Sequence, residues 1–191
     1  MTTAQKTVSL GDRYAETAVV IVTLLALLAG WLYKSSVENR SLTFESDGII
    51  AEVPKGWFQS QSESTVIQVT DPTSAGFATM YAISRQTVAN DVSPAQAASF
   101  QNLDLGQQLT DFRVLDQQPV LVNGQEAYQV SYVFVESDPN LARDDIPSVV
   151  LGRDYTFVRN GQAITVSYRA DEHEFEPGLN RFYRFLSSVQ Y

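Results

Sequence analysis

Cysteine is absent from this 191-residue chain, and histidine occurs only once, at His173. Without thiols the chain can form neither disulfides nor cysteine-based metal sites, and it cannot use a thiol nucleophile. The sequence also lacks the glycine-rich phosphate loops of nucleotide-binding proteins and the Gly-x-Ser-x-Gly turn of serine hydrolases. A Ser-His-Asp triad would depend entirely on His173. These absences argue against an enzyme and against a bound cofactor.

Positive charge is also scarce. The chain has 13 Lys and Arg against 22 Asp and Glu, a net charge of −9. Residues 1–33 are neutral overall, so the rest of the chain carries the whole excess of negative charge. An acidic domain repels phosphate backbones and anionic lipid headgroups, so we expect no nucleic-acid partner and no flat docking onto a membrane surface.

One long uncharged run is present near the amino end, Thr17–Tyr33. At about 1.5 Å per residue it is roughly 25 Å long, slightly less than a typical hydrocarbon core. Aromatic residues of the kind found at membrane interfaces flank it: Tyr14, Trp31 and Tyr33. We therefore predict a short amino-terminal tail over 1–13 and a transmembrane helix over 14–33, with the lipid bilayer as its surroundings.

A buried soluble helix is one alternative interpretation of this run, but the segment is apolar on every face. A cleaved signal peptide is the other. Its apolar region would be longer than usual, and the bulky residues 31–33 occupy the place of a small-x-small cleavage site. We therefore favour a retained, single-pass anchor in the cell membrane. The amino-terminal amine favours a cytoplasmic N-terminus, which places the C-terminal domain on the extracytoplasmic side, periplasmic or lumenal.

Small residues form a stripe on this predicted helix, at Thr23, Ala26 and Gly30. Such a stripe lets a second membrane helix approach closely, so we expect integral membrane protein subunits as partners. A short tether over 34–41 follows, which reaches at most about 25 Å when extended. The domain after it, 42–191, should therefore stay close to the bilayer.

The start of that domain predicts a hairpin and a turn. Short β-forming runs flank Asp47-Gly48, a strong hairpin signal. Pro54 lacks an amide hydrogen and should end the second strand, and Gly56 permits the turn that follows. Trp57 should then pack against one end of the sheet.

The rest of the domain predicts further strands and two helices. Asn123-Gly124 and Asn160-Gly161 each join two alternating runs, and Gly152 suggests a β-bulge. A helix after Ser93 would bury Ala97, Phe100 and Leu103, and a C-terminal helix would bury Phe175, Leu179, Phe182, Leu186 and Val189. Antiparallel strands with helices inserted between them indicate an α+β sandwich in which the helices cover the sheet.

Three motifs in this order resemble the PsbP-like family, whose founding member is an extrinsic subunit of photosystem II. They are Val53-Pro54-Lys55-Gly56-Trp57, Val122-Asn123-Gly124 with Tyr128 and Tyr132, and Phe185-Leu186-Ser187-Ser188. The resemblance covers residues 42–190. It implies an α-β-α sandwich built on an antiparallel sheet, an extracytoplasmic or lumenal address, and a non-catalytic accessory or assembly role. The chain departs from the family in its membrane helix and its single histidine, so another photosynthetic or respiratory complex is an equal candidate for the partner.

Two acidic segments could hold a metal ion. Asp171, His173 and Glu174 combine imidazole with carboxylates, although Asp171 and Glu174 also suit a helix cap, which is the interpretation we favour. Asp138, Asp144 and Asp145 lie in an acidic loop over 137–147, but their spacing is not that of a calcium-binding loop. We expect no metal site.

The sequence therefore favours a non-catalytic, single-pass accessory or structural subunit of a larger membrane complex. One alternative is a membrane-tethered domain that binds a ligand or a metal ion, which requires a pocket between sheet and helix. A second alternative is an extracytoplasmic hydrolase that uses carboxylates, which requires a cleft with two close acids.

Overall fold

The computed structural model describes residues 10–38, 40–61, 65–74, 76–136 and 147–191. The chain divides into two compact units, of which the first ends at Ser41 and the second spans Leu42–Tyr191. The predicted acidic loop with Asp138, Asp144 and Asp145 lies outside the described residues.

A single helix, α1 (Leu10–Glu38), occupies the described part of the first unit. It contains the predicted span 14–33 and continues through most of the predicted tether 34–41. Within the described ranges, no helix is both long and apolar enough to cross a membrane. The side chains of 17–33 are exposed, as is that of Tyr14. The membrane span and its packing stripe therefore stay predictions.

The second unit is a mixed α+β domain with an antiparallel sheet, as the sequence predicts. In chain order its elements are β1 (Ser41–Ser46), β2 (Ile49–Pro54), β3 (Phe58–Ser60), β4 (Thr65–Thr70), β5 (Met80–Thr87), α2 (Pro94–Gln108), β6 (Thr110–Val122), β7 (Gln125–Glu136), β8 (Ser148–Arg159), β9 (Gln162–Asp171) and α3 (Glu172–Ser188). Seven strands form one sheet in the order β3-β4-β5-β9-β8-β7-β6, and β1 and β2 form a separate hairpin.

The two faces of the sheet bury different clusters because successive residues of a strand point to opposite sides. On one face, α3 and β2 cover a core rich in aromatic residues around Phe182 and Tyr168. On the other face, α2 covers a smaller cluster on β7 and β8, which includes Tyr132 and Phe134. Together these layers make an α-β-α sandwich.

The edges of the large sheet are β3, with three residues, and β6. The pairing of β6 with β7 shifts register twice, once before Arg113 and once before Asp116. Pro119 lies further along β6, in a position that a central strand would not tolerate.

The turns predicted from short sequence motifs are present in the structure. The three predicted two-residue turns have positive φ at both residues: Asp47-Gly48, Asn123-Gly124 and Asn160-Gly161. Pro54 is the last residue of β2, and Gly56 has a φ of 90°. The ring of Trp57 then lies 4.6 Å from that of Tyr81, centroid to centroid, at the margin of the larger core.

Two predictions that depend on distant contacts are wrong. Gly152 forms no bulge, since it pairs in unbroken register with Tyr132 and Arg169. It is glycine because a Cβ there would overlap the ring of Tyr132. The buried face of α2 is Ala97, Ala98 and Leu105, whereas Phe100 and Leu103 are exposed.

Candidate functional site

A cavity of about 410 Å³ lies between α2 and the strands β4, β5 and β9. This is the position that the ligand-binding alternative requires. Neutral polar side chains and alanines dominate its lining, and its charged members are Arg85, Asp104 and Arg169. Two alanines, Ala82 and Ala163, leave room over the sheet. The volume is that of a site for a small molecule.

Asp154 is the buried charged centre beside this cavity, and only 2% of it is exposed. Its Oδ1 accepts a hydrogen bond from the Tyr132 hydroxyl at 3.1 Å, and its Oδ2 accepts one from Gln101 Nε2 at 2.9 Å. The hydroxyl of Ser167 also bonds to it. Three donors therefore compensate for the loss of water around this carboxylate.

Gln101 links α2 to the sheet through both ends of its amide. Besides the bond from its Nε2 to Asp154, its Oε1 accepts a hydrogen bond from Thr165 Oγ1 at 2.7 Å. Because the single hydroxyl proton of Thr165 is used there, Thr156 is the donor in its 3.1 Å contact with Thr165. The network thus fixes the position of α2 over β8 and β9.

Arg169 completes the network from β9. Its Nε donates a hydrogen bond to the Tyr132 hydroxyl at 2.9 Å. The guanidinium carbon lies 5.8 Å from the centroid of the Tyr132 ring and 5.9 Å from that of Phe134. Arg169 and Asp154 thus have opposite charges and share one bridging hydroxyl.

Burial raises the pKa of the Asp154 carboxyl above its ordinary value of 3.8, and it outweighs Arg169, Ser167 and Tyr132, which lower that pKa. Burial, followed by the charge of Asp154, also raises the pKa of Tyr132. Tyr132 is therefore neutral at physiological pH and remains a hydrogen-bond donor. The Tyr132 hydroxyl cannot donate its proton to a substrate unless its hydrogen bond to Asp154 is broken.

The raised pKa of Asp154 predicts a specific dependence of stability on pH. A group whose pKa is higher in the folded state adds stability that is complete below the unfolded pKa and is lost as pH rises through the folded pKa. The free energy of unfolding of the native chain, relative to that of Asp154→Asn, should therefore increase as pH falls from neutral toward 3.8. Urea unfolding of both proteins at several pH values measures this difference. A difference that is constant or shrinks on acidification would contradict the prediction.

The side chains of the residues predicted as metal candidates do not come together around one point. Asp171 caps α3, since its Oδ1 accepts a hydrogen bond from the backbone N–H of His173 at 3.0 Å. The His173 side chain is 86% exposed, and Glu174 Oε2 accepts a hydrogen bond from Thr79 Oγ1 at 2.8 Å. Among the described residues, no group of three His, Cys, Asp or Glu side chains could hold a metal ion. His173 and Glu174 instead help to line a second cavity, of about 290 Å³, beside Trp57.

Sequence reasoning missed Asp154, Arg169 and Gln101. When alternation is counted, a charged residue interrupts one face of each strand: Asp154 lies between Gly152 and Thr156 on β8, and Arg169 follows Thr165 and Ser167 on β9. That interruption is the signal that could have found them. Gln101 gives no such signal, because polar residues are ordinary on a helix of this composition.

No family model matches the sequence, and no curated protein matches it. Among solved structures, the cyanobacterial PsbP (CyanoP) of Synechocystis superposes with a TM-score of 0.56 at 14% identity, over 79% of this chain and 91% of that one. A Pseudomonas aeruginosa protein of unknown function, described as a putative regulator, gives 0.54 at 14% identity, over 80% and 98%. The yeast Ran-binding protein Mog1p gives 0.51 at 12% identity, over 79% and 95%.

The second unit is thus an α-β-α sandwich with α2 and α3 on opposite faces of an antiparallel sheet. Its fold is that of PsbP and Mog1, which confirms the fold that the sequence motifs indicate. At these identities the similarity establishes the fold alone.

Proposed function

We propose that this chain is a non-catalytic accessory protein that acts by binding, and that α1 holds it in a membrane complex. The observation that carries the proposal is the surface of α1. Large apolar side chains are exposed along it on every side: Val19, Val20, Ile21, Val22, Leu24, Leu25, Leu27, Leu28, Trp31 and Leu32. A surface of that kind requires an apolar covering, which a bilayer with a neighbouring helix supplies.

The described site supports binding over catalysis. Asp154 is held by three donors, and Tyr132 both accepts and donates within the same network. Such groups stabilise one arrangement and are poorly suited to exchanging protons with a substrate. The compared proteins are in keeping with this role, since Mog1p is described as Ran-binding and the Pseudomonas protein as a putative regulator.

The proposed contact surface for the neighbouring helix is the stripe of Thr23, Ala26 and Gly30. Thr23 Oγ1 donates to the carbonyl of Val19 at 2.9 Å, so its polar group is satisfied within α1. A Cβ added at Gly30 would meet nothing within 4 Å. Within the described part of α1, Gly30 therefore has room for a neighbouring helix. We propose that the domain lies on the extracytoplasmic face, and the resemblance to the PsbP-like family supports this proposal.

The test is to replace Gly30 with leucine and to isolate the complex from native membranes in mild detergent. Leucine favours a helix over glycine, so α1 should persist, whereas close approach of a second helix is blocked. We expect the native chain to resist alkaline extraction and to migrate with larger subunits. Gly30→Leu should stay in the membrane fraction but lose those subunits, with an apparent affinity at least about tenfold weaker.

The matched control is Ala18→Leu, which adds bulk about 120° around the helix from Gly30. It should migrate as the native chain does. Release of the native chain by alkaline extraction would overturn the anchor. Migration of the native chain alone, in every mild detergent tried, would overturn the role as a subunit.

A further inference from the structure

The second cavity, of about 290 Å³, lies between the loop after β4, the strands β5 and β9 and the first half of α3. Three aromatic side chains line it: Trp57, Tyr81 and Tyr168. The helix approaches the sheet closely here, because a Cβ at Gly178 would overlap the Tyr168 hydroxyl. A space of this size is at the lower end for ligand sites and has room for a single small ring.

The hydroxyl of Tyr81 has no hydrogen-bond partner among the described residues, although only 1% of Tyr81 is exposed. Of the buried side-chain nitrogens and oxygens in the described part of the chain, Arg85 Nε alone lacks a partner, so solvent reaches the Tyr81 oxygen. Burial raises the pKa of Tyr81 above its ordinary value of 10.0, and the groups that act on it next most strongly are Tyr168, Arg181 and Asp71. Because Tyr81 and these three groups all line the cavity, the hydroxyl faces it.

Asp71 and Arg181 form a loose pair in the same cavity. Arg181 Nη1 lies 3.9 Å from Asp71 Oδ2, which is longer than a hydrogen bond. Among the described residues, the N–H groups of Arg181 have no hydrogen-bond acceptor, whereas Asp71 Oδ1 accepts two hydrogen bonds from Thr73. One ligand hydroxyl can therefore donate to Asp71 Oδ2 and accept from Arg181 Nη1. An ionised carboxylate or an ammonium group can do only one of these.

Charged groups of both signs surround the cavity, so no single sign of ligand charge is favoured. Three carboxylates and three guanidinium groups line it or act on its two tyrosines: Asp71, Glu174 and Glu176, and Arg153, Arg181 and Arg184. At the rim, the exposed imidazole of His173 lies 3.8 Å from the Glu172 carboxylate, where water and salt screen both groups. A ligand with one charge would meet repulsion as well as attraction, which favours a neutral ligand.

Trp57 gives the cavity a broad apolar wall. Its side chain is half-buried, and its ring lies 4.6 Å from that of Tyr81, centroid to centroid. The indole N–H has no acceptor among the described residues. The C–H face of a pyranose ring packs on such a surface through dispersion and the removal of apolar area from water.

We infer that this cavity binds a neutral pyranose sugar whose C–H face lies against Trp57. One sugar hydroxyl bridges Asp71 and Arg181, and another bonds to the Tyr81 hydroxyl. This site is additional to the accessory role proposed above and does not depend on it.

The experiment compares sugars with matched relatives, using the full chain in a polyoxyethylene detergent because a maltoside detergent would itself present sugar rings. Binding is followed by saturation-transfer NMR at the C–H protons of each probe. The neutral pyranoses are glucose, galactose and mannose, and sorbitol supplies similar hydroxyls without a ring face. We expect at least one pyranose to give a saturable signal. Sorbitol, and the uronate and amino sugar derived from the sugar that binds, should each bind at least about fivefold more weakly.

Two tyrosine variants separate a role in binding from a role in folding. Tyr81→Phe removes a hydroxyl without a partner in the described part of the chain, so the urea midpoint should stay the same or rise. The same variant should weaken sugar binding about fivefold, the scale of one hydrogen bond. The matched control is Tyr155→Phe, whose lost hydroxyl donates to Gln129 Oε1 at 2.9 Å and does not line this cavity. It should lower the urea midpoint and keep sugar affinity within about twofold of native.

Each outcome decides the inference. A loss of affinity in Tyr81→Phe at native stability, together with the opposite result in Tyr155→Phe, would support it. Three results would overturn it: no saturable signal with any of the pyranoses, sorbitol binding as tightly as they do, or native affinity in Tyr81→Phe. Tighter binding of the uronate or the amino sugar would overturn the choice of a neutral ligand.

Discussion

Replacement of Gly152 by alanine should cost about 3 kcal/mol or more of unfolding free energy, although it adds a single methyl group. That methyl would fall within the ring of Tyr132. The ring cannot move aside cheaply, since its hydroxyl is bonded to both Asp154 and Arg169 and its residue is fully buried. Chemical denaturation of the full chain, followed by circular dichroism, measures the loss.

Gly106→Ala is the matched control for this prediction. Gly106 lies in α2, where an added Cβ would meet Phe112 at an ordinary contact distance of 3.6 Å. Alanine is the better helix former, so this variant should be neutral or more stable by up to about 1 kcal/mol. If Gly152→Ala and Gly106→Ala shifted stability alike, the close approach of Tyr132 to β8 would be refuted.

Phe182→Ala should cost about 3–5 kcal/mol, the range for a fully buried aromatic residue. Phe182 is 0% exposed and lies at the centre of the larger core. Its ring lies 5.0 Å from that of Tyr168 and 5.5 Å from that of Tyr81, centroid to centroid. Its removal leaves a cavity that these rings, held by their own neighbours, cannot fill. Urea unfolding measures the change in free energy.

Phe100→Ala provides the same chemical change at a surface position. Phe100 is 52% exposed on α2, so its truncation should cost about 1 kcal/mol or less. This pair also tests the structure against the sequence, because the helical periodicity assigns both phenylalanines to buried faces. Equal costs for the two variants would restore that assignment and contradict the observed placement of α2.

Local chemistry explains which parts of the fold could be predicted from the sequence. Asp47-Gly48, Asn123-Gly124 and Asn160-Gly161 determine their turns within two residues, and their hairpins follow. The cap at Asp171 is equally local, and so is the start of α3. The apolar stripe of α3 could also be predicted, because its residues repeat at helical spacing.

The errors arose where the deciding contact is remote in the chain. Gly152 was predicted to form a bulge because glycine within a strand marks either a bulge or the close approach of another group. Only the position of the Tyr132 ring decides between these two explanations. The buried face of α2 was misassigned because it approaches the sheet through the small residues Ala97 and Ala98. The hydrogen-bond network beside the cavity could not be predicted for the same reason, since Gln101, Asp154 and Arg169 come from three separate elements.

The edge strands of the large sheet affect whether copies of this protein aggregate at high concentration. β3 offers only three residues, and β6 carries exposed charges, a proline and two register shifts. Neither border is a good template for a strand from a neighbour, so the protein is guarded against fibre growth. A partner that binds this domain is therefore expected to contact side chains on the broad faces and loops, not the backbone of β3 or β6.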